Sequence, residues 1–535
     1  MESVVVSQAS NVTETIAAAS KDKIISMATV KHVLDVVQHM SYFKLFCTLI
    51  AIVLVYDQVS YQIQKGNIAG PKWKMWPIIG PFLESLDPKF EEYMDKWNSG
   101  PLSCVSIFHK FVVIASTRDL ARKIFQSPQY VKPCVVDVAV KILRPSNWVF
   151  LDGKAHVDYR KSLNGLFTKQ ALAQYIPSQE LLMDKYIEKF VQLSKDNKYE
   201  ATVFFGEMRE IMCALSLKAF CGSYITEDQI RKVADDYYLV TAALELVNFP
   251  IIIPFTKTWY GKRTADMTMK IFEQCAQMAK DHIAAGGESV CVLDAWCKLM
   301  HDAKNKNDDD SKLYHREFSN REMSEAIFTF LFASQDASSS LACWIFQIIA
   351  DRPDVMEKIR EEQLRVRNND PTVRLTMDLI DKMEYTNMVV KETLRYRPPV
   401  LMVPYYVKKN FPVAPTYSAP KGSMLIPTLY PALHDPEVYE NPDDFIPERW
   451  VEGSPANEAK KNWLVFGCGP HVCLGQTYVM QTFTGMIGKF AMYTNWEHKV
   501  TPLSEKIKVF ATIFPEDDLL LSFKKRDPLT GEIKS

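Results

Sequence analysis

Phe466-Gly467-Cys468-Gly469-Pro470-His471-Val472-Cys473-Leu474-Gly475 is the stretch on which the reading of this 535-residue chain turns. Glycines stand six and four residues before the second cysteine and two after it, and a run rich in Met, Phe and Tyr follows from Gln476 to Tyr493. The spacing predicts a tight loop delivering one sulfur to the start of a helix. Glycine permits the positive-φ turns such a loop needs, and backbone N–H groups at a helix N-terminus stabilise a thiolate. A thiolate in a close-approach loop suits a flat metal cofactor, haem iron first. Zinc held by Cys468, His471 and Cys473 is disfavoured: a fourth nearby ligand is lacking, and Cys-x-x-His-x-Cys is not a usual zinc spacing.

Hydrophobic residues at 47% and aromatics at 12% are enough for a large core and an apolar pocket. Length alone allows several domains. No repeat or long Gly/Ser- or Pro-rich linker interrupts 81–525, so one large, mostly helical catalytic domain is expected. A formal net charge of −1 argues against a nucleic-acid partner, which needs a strong basic field. Mixed charge over Lys304–Lys312 reads as a solvated loop. Eleven cysteines, odd in number and without paired spacing, are no disulfide framework, so the main domain is expected in a reducing compartment.

Residues 1–40 are polar to weakly amphipathic and carry a sequon, Asn11-Val12-Thr13, that matters only in a lumenal segment. The apolar stretch Met40–Tyr61 has an uncharged centre, Leu45–Tyr56, shorter than the roughly 20 residues that span a bilayer. Lys44 and Asp57 lie toward the two interfaces, with Tyr42, Tyr56 and Tyr61 as anchors. A single transmembrane anchor over 41–62 is expected, with a peripheral, partly inserted helix as the alternative. The polar segment ahead of it disfavours a cleaved signal. Over 63–81, prolines among Trp73, Trp76, Lys72 and Lys74 predict a stiff hinge at a membrane surface. Lys65, Lys72 and Lys74 place the domain at 82–535 on the cytosolic side.

Ser103–Ser116 is β-rich and predicts a small hairpin. Gly153–Lys161 opens a helix with His156 and Arg160 one turn apart, able to reach one anionic group. Val247–Phe255, broken by Pro250 and Pro254, excludes a regular helix interior. Glu322–Ala350 is almost continuously apolar, a central buried helix. Within it Asp336 stands among Ser334, Ser338, Ser339 and Ser340, and a buried carboxylate is costly unless hydrogen-bonded or functional. Glu392 and Arg395 share a helix face ended by Pro398-Pro399, and Phe445–Trp450 adds Arg449.

The cysteine stretch closely resembles the haem-binding loop of the cytochrome P-450 family, Phe-Gly-x-Gly-x-(Arg or His)-x-Cys-x-Gly, at every fixed position. The other motifs follow in the family's order over roughly residues 70–525. The resemblance implies a mainly α fold with small β-sheets and haem b between two long helices. Cys473 would be the axial iron ligand, in a loop shaped by Phe466, Gly467, Gly469 and Gly475. His471, Arg160 and His156 would meet the propionates, His156 standing where members usually carry Trp. Glu392, Arg395 and Arg449 would form the buried triad that holds the loop. Val400–Tyr405 and Phe510–Phe514 would cross the haem face, with Ala333, Ala337, Met402, Val403, Ile513 and Phe514 as substrate contacts, and Val247–Phe255 would roof a channel at the membrane.

The family's acid–threonine pair is altered. Ala337 replaces the first threonine and Ser334 a glycine, leaving Asp336 and Ser338 to share proton delivery with an ordered water, or the serines merely to admit the cofactor. O2 as co-substrate, an NADPH-dependent reductase, cytochrome b5 as an optional second donor and an endoplasmic reticulum membrane are implied. Residues 332–340 and 469–473 look like the fungal sterol 22-desaturase branch. A sterol 14α-demethylase or another lipid-hydroxylating member is one alternative, and a non-catalytic haem- or sterol-binding protein another.

Overall fold

The computed structural model describes residues 41–74, 76–81, 84, 87–108, 110–244, 251–305 and 316–534. The segment 1–40 with Asn11, the first part of the Val247–Phe255 run and most of the charged stretch after Lys304 lie outside the described residues. The chain divides into two compact units: Met1–Ile63 with Lys72–Ile78, and Gln64–Pro71 with Ile79–Ser535. The stretch expected as one hinge, 63–81, is therefore shared between them.

The first unit is built on α1, Tyr42–Lys65. Its 24 residues rise about 36 Å, more than the roughly 30 Å of a hydrocarbon core. Its most apolar 18-residue window has a mean hydropathy of 1.6 and no buried residue. The helix passes the expected limit of 62 because nothing breaks it before Gly66 takes a positive φ. Asp57 is not a bare charge at an interface. Lys74 Nζ donates to Asp57 Oδ1 and the Ile78 N–H to Oδ2, each at 2.8 Å. Gln58 meets the Lys74 backbone with both ends of its amide.

The second unit is mainly helical: α2 Arg118–Phe125, α3 Gly153–Asn164, α4 Lys169–Asp196, α5 Phe205–Cys221, α6 Glu227–Ala242, α7 Lys257–Ala284, α8 Asn320–Ala350, α9 Pro353–Val366, α10 Glu384–Tyr396 and α11 Gln476–Tyr493. A capping box of Ser319 and Glu322 starts α8, and Pro353 follows its end. This helix is buried along nearly its whole length and packs on α5, α7 and α10. α11 packs on α4, α9 and α10.

One sheet takes the order β1-β2-β5-β4-β3, with β1 Leu102–Ile107, β2 Lys110–Ala115, β3 Val131–Pro133, β4 Tyr405–Val407 and β5 Met424–Pro427. Its first pair is the hairpin expected over 103–116. β6 Ile507–Phe510 and β7 Thr512–Pro515 form a second, separate hairpin against α8.

Candidate active site

The cysteine loop is a closed turn. The Cys473 N–H donates to the Phe466 carbonyl at 2.9 Å, and the Val472 N–H to the Gly469 carbonyl at 3.1 Å. Gly467 and Gly469 take φ of +68° and +78°. A Cβ on Gly469 would fall 2.5 Å from the Phe125 carbonyl oxygen, so the loop lies directly on the end of α2. Gly475 closes the loop one residue before α11. Burial raises the Cys473 thiol above its ordinary value, while the N–H groups of Gly475 and Gln476 and the Arg160 charge act the other way. Cys473 still keeps accessible surface. For a side chain so enclosed by protein, that surface faces an internal recess.

Beside the sulfur lies a basic cradle. Arg160 donates to the Val472 carbonyl at 2.6 Å. The His156 and His471 rings lie 4.0 Å apart. Burial, then the neighbouring His156, holds the His471 imidazole down to about 4. Burial, then Arg160, lowers His156. Beyond burial, Arg160 lowers both imidazoles and His156 lowers His471, so carboxylates such as two propionates would be welcome beside them. Trp148 stacks on both His156 and Tyr159, an indole supplied from outside the Gly153–Lys161 motif.

On α8 almost every side chain is buried, yet Ala333 is exposed and Ala337 half-exposed. These two alanines, one turn apart, share a face of the helix. Asp336 points elsewhere: Arg209 of α5 donates to its Oδ1 at 2.6 Å and Thr241 of α6 to its Oδ2 at 3.0 Å. Ser338, expected to share proton delivery with Asp336, is not among the hydrogen-bond partners of its carboxylate. Two residues along a helix is about 200° of rotation, so Ser338, though buried, faces away from Asp336. Neither Arg209 nor Thr241 stands out in the sequence, because their partner is about a hundred residues away in the chain.

Ile513 and Phe514, expected as substrate contacts, lie in the packed strand of the second hairpin. Both are fully buried. Consecutive strand residues face opposite sides, and here both sides are packed. Phe205 meets the Phe514 ring, while Ser340 and Trp344 donate to the Ile513 carbonyl. The accessible part of this hairpin is β6 and the turn that follows it, Ile507–Ala511, with Ala511 at φ +58°. Met402 and Val403 keep partial exposure before β4.

Glu392, Arg395 and Arg449 come together as a buried cluster. Glu392 Oε1 accepts from Arg395 at 2.8 Å and Arg449 at 3.0 Å, and Oε2 accepts from Arg395 and from the Trp450 indole, each at 3.0 Å. The guanidinium groups also donate to the carbonyls of Leu433, Pro442, Asn441 and Asp444. Trp450 closes the Phe445–Trp450 run, but no spacing points to its indole as a donor to Glu392.

The donor set suits a thiolate-held iron macrocycle: one sulfur at a helix start, a basic cradle for carboxylates, and a strip of alanine where a flat ring needs clearance. The cytochrome P450 family model matches residues 70–512. The chain is 80% identical over 509 residues to the C-22 sterol desaturase ERG5 of Saccharomyces cerevisiae, covering 95% of each. It is 70% identical over 485 residues to the C-22 sterol desaturase ERG5 of Candida albicans, covering 90% of this chain and 93% of that one. Its fold matches a retinoic acid-bound cyanobacterial CYP120A1 with a TM-score of 0.71 at 20% identity, over 84% of this chain and 97% of that one. With a family model spanning most of its length and relatives this similar end to end, the chain belongs to the cytochrome P450 family.

Proposed function

We propose that the protein is a sterol C-22 desaturase, closing the C22–C23 double bond of a sterol side chain in ergosterol synthesis. The 80% identity over 95% of both chains with the yeast C-22 sterol desaturase carries this reading. Haem b would sit on Cys473, with its propionates at His471, Arg160 and His156. When bound, thiolate-held haem activates O2 to an oxidant able to take hydrogen from an unactivated C–H bond. In the balance, O2, two electrons and two protons enter, two C–H bonds break, one C=C bond forms and two waters leave.

The chain's own residues do the rest. Ala333 and Ala337 leave room over the ring, and Asp336 holds and passes protons. Met402, Val403 and the Phe510–Ala511 tip border the sterol. Electrons come from NADPH through a reductase on the cysteine side, with cytochrome b5 as an optional second donor. Exposed Ile251, Ile253 and Phe255, beside Trp259 and its Arg263 partner, meet the lipid from which sterol enters.

We assign 1–40 to the lumen, α1 to a single span of the endoplasmic reticulum membrane, and the body after the hinge to the cytosol. Lys74 is paired with Asp57, so Lys65 and Lys72 carry the cytosolic-side charge.

Reconstitution with NADPH, a reductase and a sterol saturated at C22–C23 tests the reading. The expected product has lost two hydrogens there. A product that has gained oxygen would replace desaturation with hydroxylation, and a haem that NADPH and reductase cannot reduce would favour a binding protein.

A further inference from the structure

Arg367, the residue that follows α9, is a buried cation with only neutral partners. It is 3% exposed. Its Nη1 donates to the Gln363 carbonyl at 3.3 Å and to the Gln363 amide oxygen at 2.6 Å. Its Nε is buried without a partner. Among the described residues no carboxylate stands within ion-pair distance of this guanidinium, and the acids nearest in the same cleft pair with other cations. Burial pulls Arg367 below its ordinary value, with Tyr493 and Glu180 opposing it. A buried charge is costly unless it is paired.

Gln363 fixes where this cation stands. It is fully buried, and its Nε2 donates to Thr386 at 3.3 Å. Gly488 gives its amide room, since a Cβ there would fall 2.6 Å from it. Arg367 borders a cleft of about 220 Å³ between α4, the turn after α9 and α11, with Glu180, Asp184, Thr372, Arg374 and Lys489. Three cations thus face two carboxylates. Lys489 reaches both acids at 2.8 Å, and the Leu375 N–H donates to Glu180 at 3.2 Å. Arg374 approaches the same acids only at 3.5 and 3.7 Å, longer than a good hydrogen bond. The acids are engaged by Lys489, and two guanidinium groups are left over. The turn that carries them is tied down. Thr372 donates to Asp370 through its N–H at 2.9 Å and its hydroxyl at 2.6 Å, and Tyr493 donates to the Pro371 carbonyl at 2.6 Å.

We propose that this cleft binds a phosphate group, held by Arg367 and Arg374 with Lys489 at its flank. Guanidinium presents a fork of N–H donors that matches phosphate oxygens. A phosphate monoester carries about two negative charges and so answers two cations at once. No bond is made or broken. Two sources offer this chemistry, inorganic phosphate in solution and the headgroup of an anionic phospholipid. Bound there, either would join the turn after α9 to α4 and α11.

The test is calorimetric titration of the haem-loaded full chain in detergent, at fixed ionic strength, with inorganic phosphate and separately with dioctanoyl phosphatidic acid. Saturable binding of one phosphate group per chain is expected, with a raised denaturation midpoint. Arg374→Gln alters a side chain that is 65% exposed, so the variant should fold, and it should bind about 10–100-fold more weakly. Arg367→Gln should lose at least as much where it folds. Arg231→Gln removes a positive charge from α6 and should bind like wild type. Binding of both probes shows that the phosphate group alone is recognised, and binding of the lipid alone assigns the site to a headgroup. Absence of binding by both overturns the proposal, as does binding that Arg374→Gln leaves unchanged or that Arg231→Gln weakens equally. No reading here involves the sterol reaction, so failure of the site leaves the desaturase reading standing.

Discussion

At the residue scale, Glu392 shows how an interior carboxylate is made tolerable. It is fully buried, as is Arg395, and both of its oxygens are satisfied by guanidinium, indole and backbone donors. Removing its charge strands two buried cations. Glu392→Gln is therefore expected to cost about 3–5 kcal/mol, read as a lower denaturation midpoint and a poor yield of haem-loaded protein. A normal yield and midpoint would show that the cluster holds through its carbonyl contacts alone. The pairing of Glu392 with Arg395 was legible because three residues on a helix are neighbours. That of Trp450 was not, since it arises from a contact across 58 residues with no periodicity to announce it.

At the scale of elements, the cysteine loop makes a prediction by contrast. Gly467 has ψ of −166° with its positive φ, a region essentially closed to other residues, but open space where a Cβ would stand. Gly467→Ala should cost about 1–3 kcal/mol from the backbone alone. Gly469→Ala adds a collision with the backbone of Phe125. It should abolish the carbon monoxide spectrum of a thiolate-held haem in protein where Gly467→Ala merely lowers the midpoint. Equal behaviour would mean that the α2 contact does not hold the loop. Elements were the most readable level: α8, the first hairpin and the helix after Cys473 all stand near where patterning put them. Direction was harder. Asp336 and Ser338 sit in one polar patch of sequence but on opposed sides of a helix, and Ile513 with Phe514 in one apolar patch that packing encloses on both sides.

At the scale of the whole molecule, stability should carry a pH signature. Burial, then the nearby Arg395 charge, holds the His434 imidazole down to about 3. The unfolded chain protonates it near an ordinary 6.5. Below that pH the unfolded state takes up a proton that the folded state refuses. The stability from this group is complete above about pH 6.5 and drains away as pH falls toward 3. Between pH 7 and pH 5 the loss is about 2 kcal/mol. His434→Phe keeps a ring against Tyr430, whose centroid is 3.9 Å away, and removes the proton. Its denaturant midpoint should change less between pH 7 and pH 5 than that of wild type, and an identical change would assign the slope to other groups. The enclosure of Cys473 bears on how long a haem stays. The sulfur keeps accessible surface although burial dominates its titration, so it stands in a recess of the protein and not on an open face. For a haem held there, the same enclosure would favour retention over exchange, and slow transfer of haem from the folded enzyme to apomyoglobin is the expected outcome.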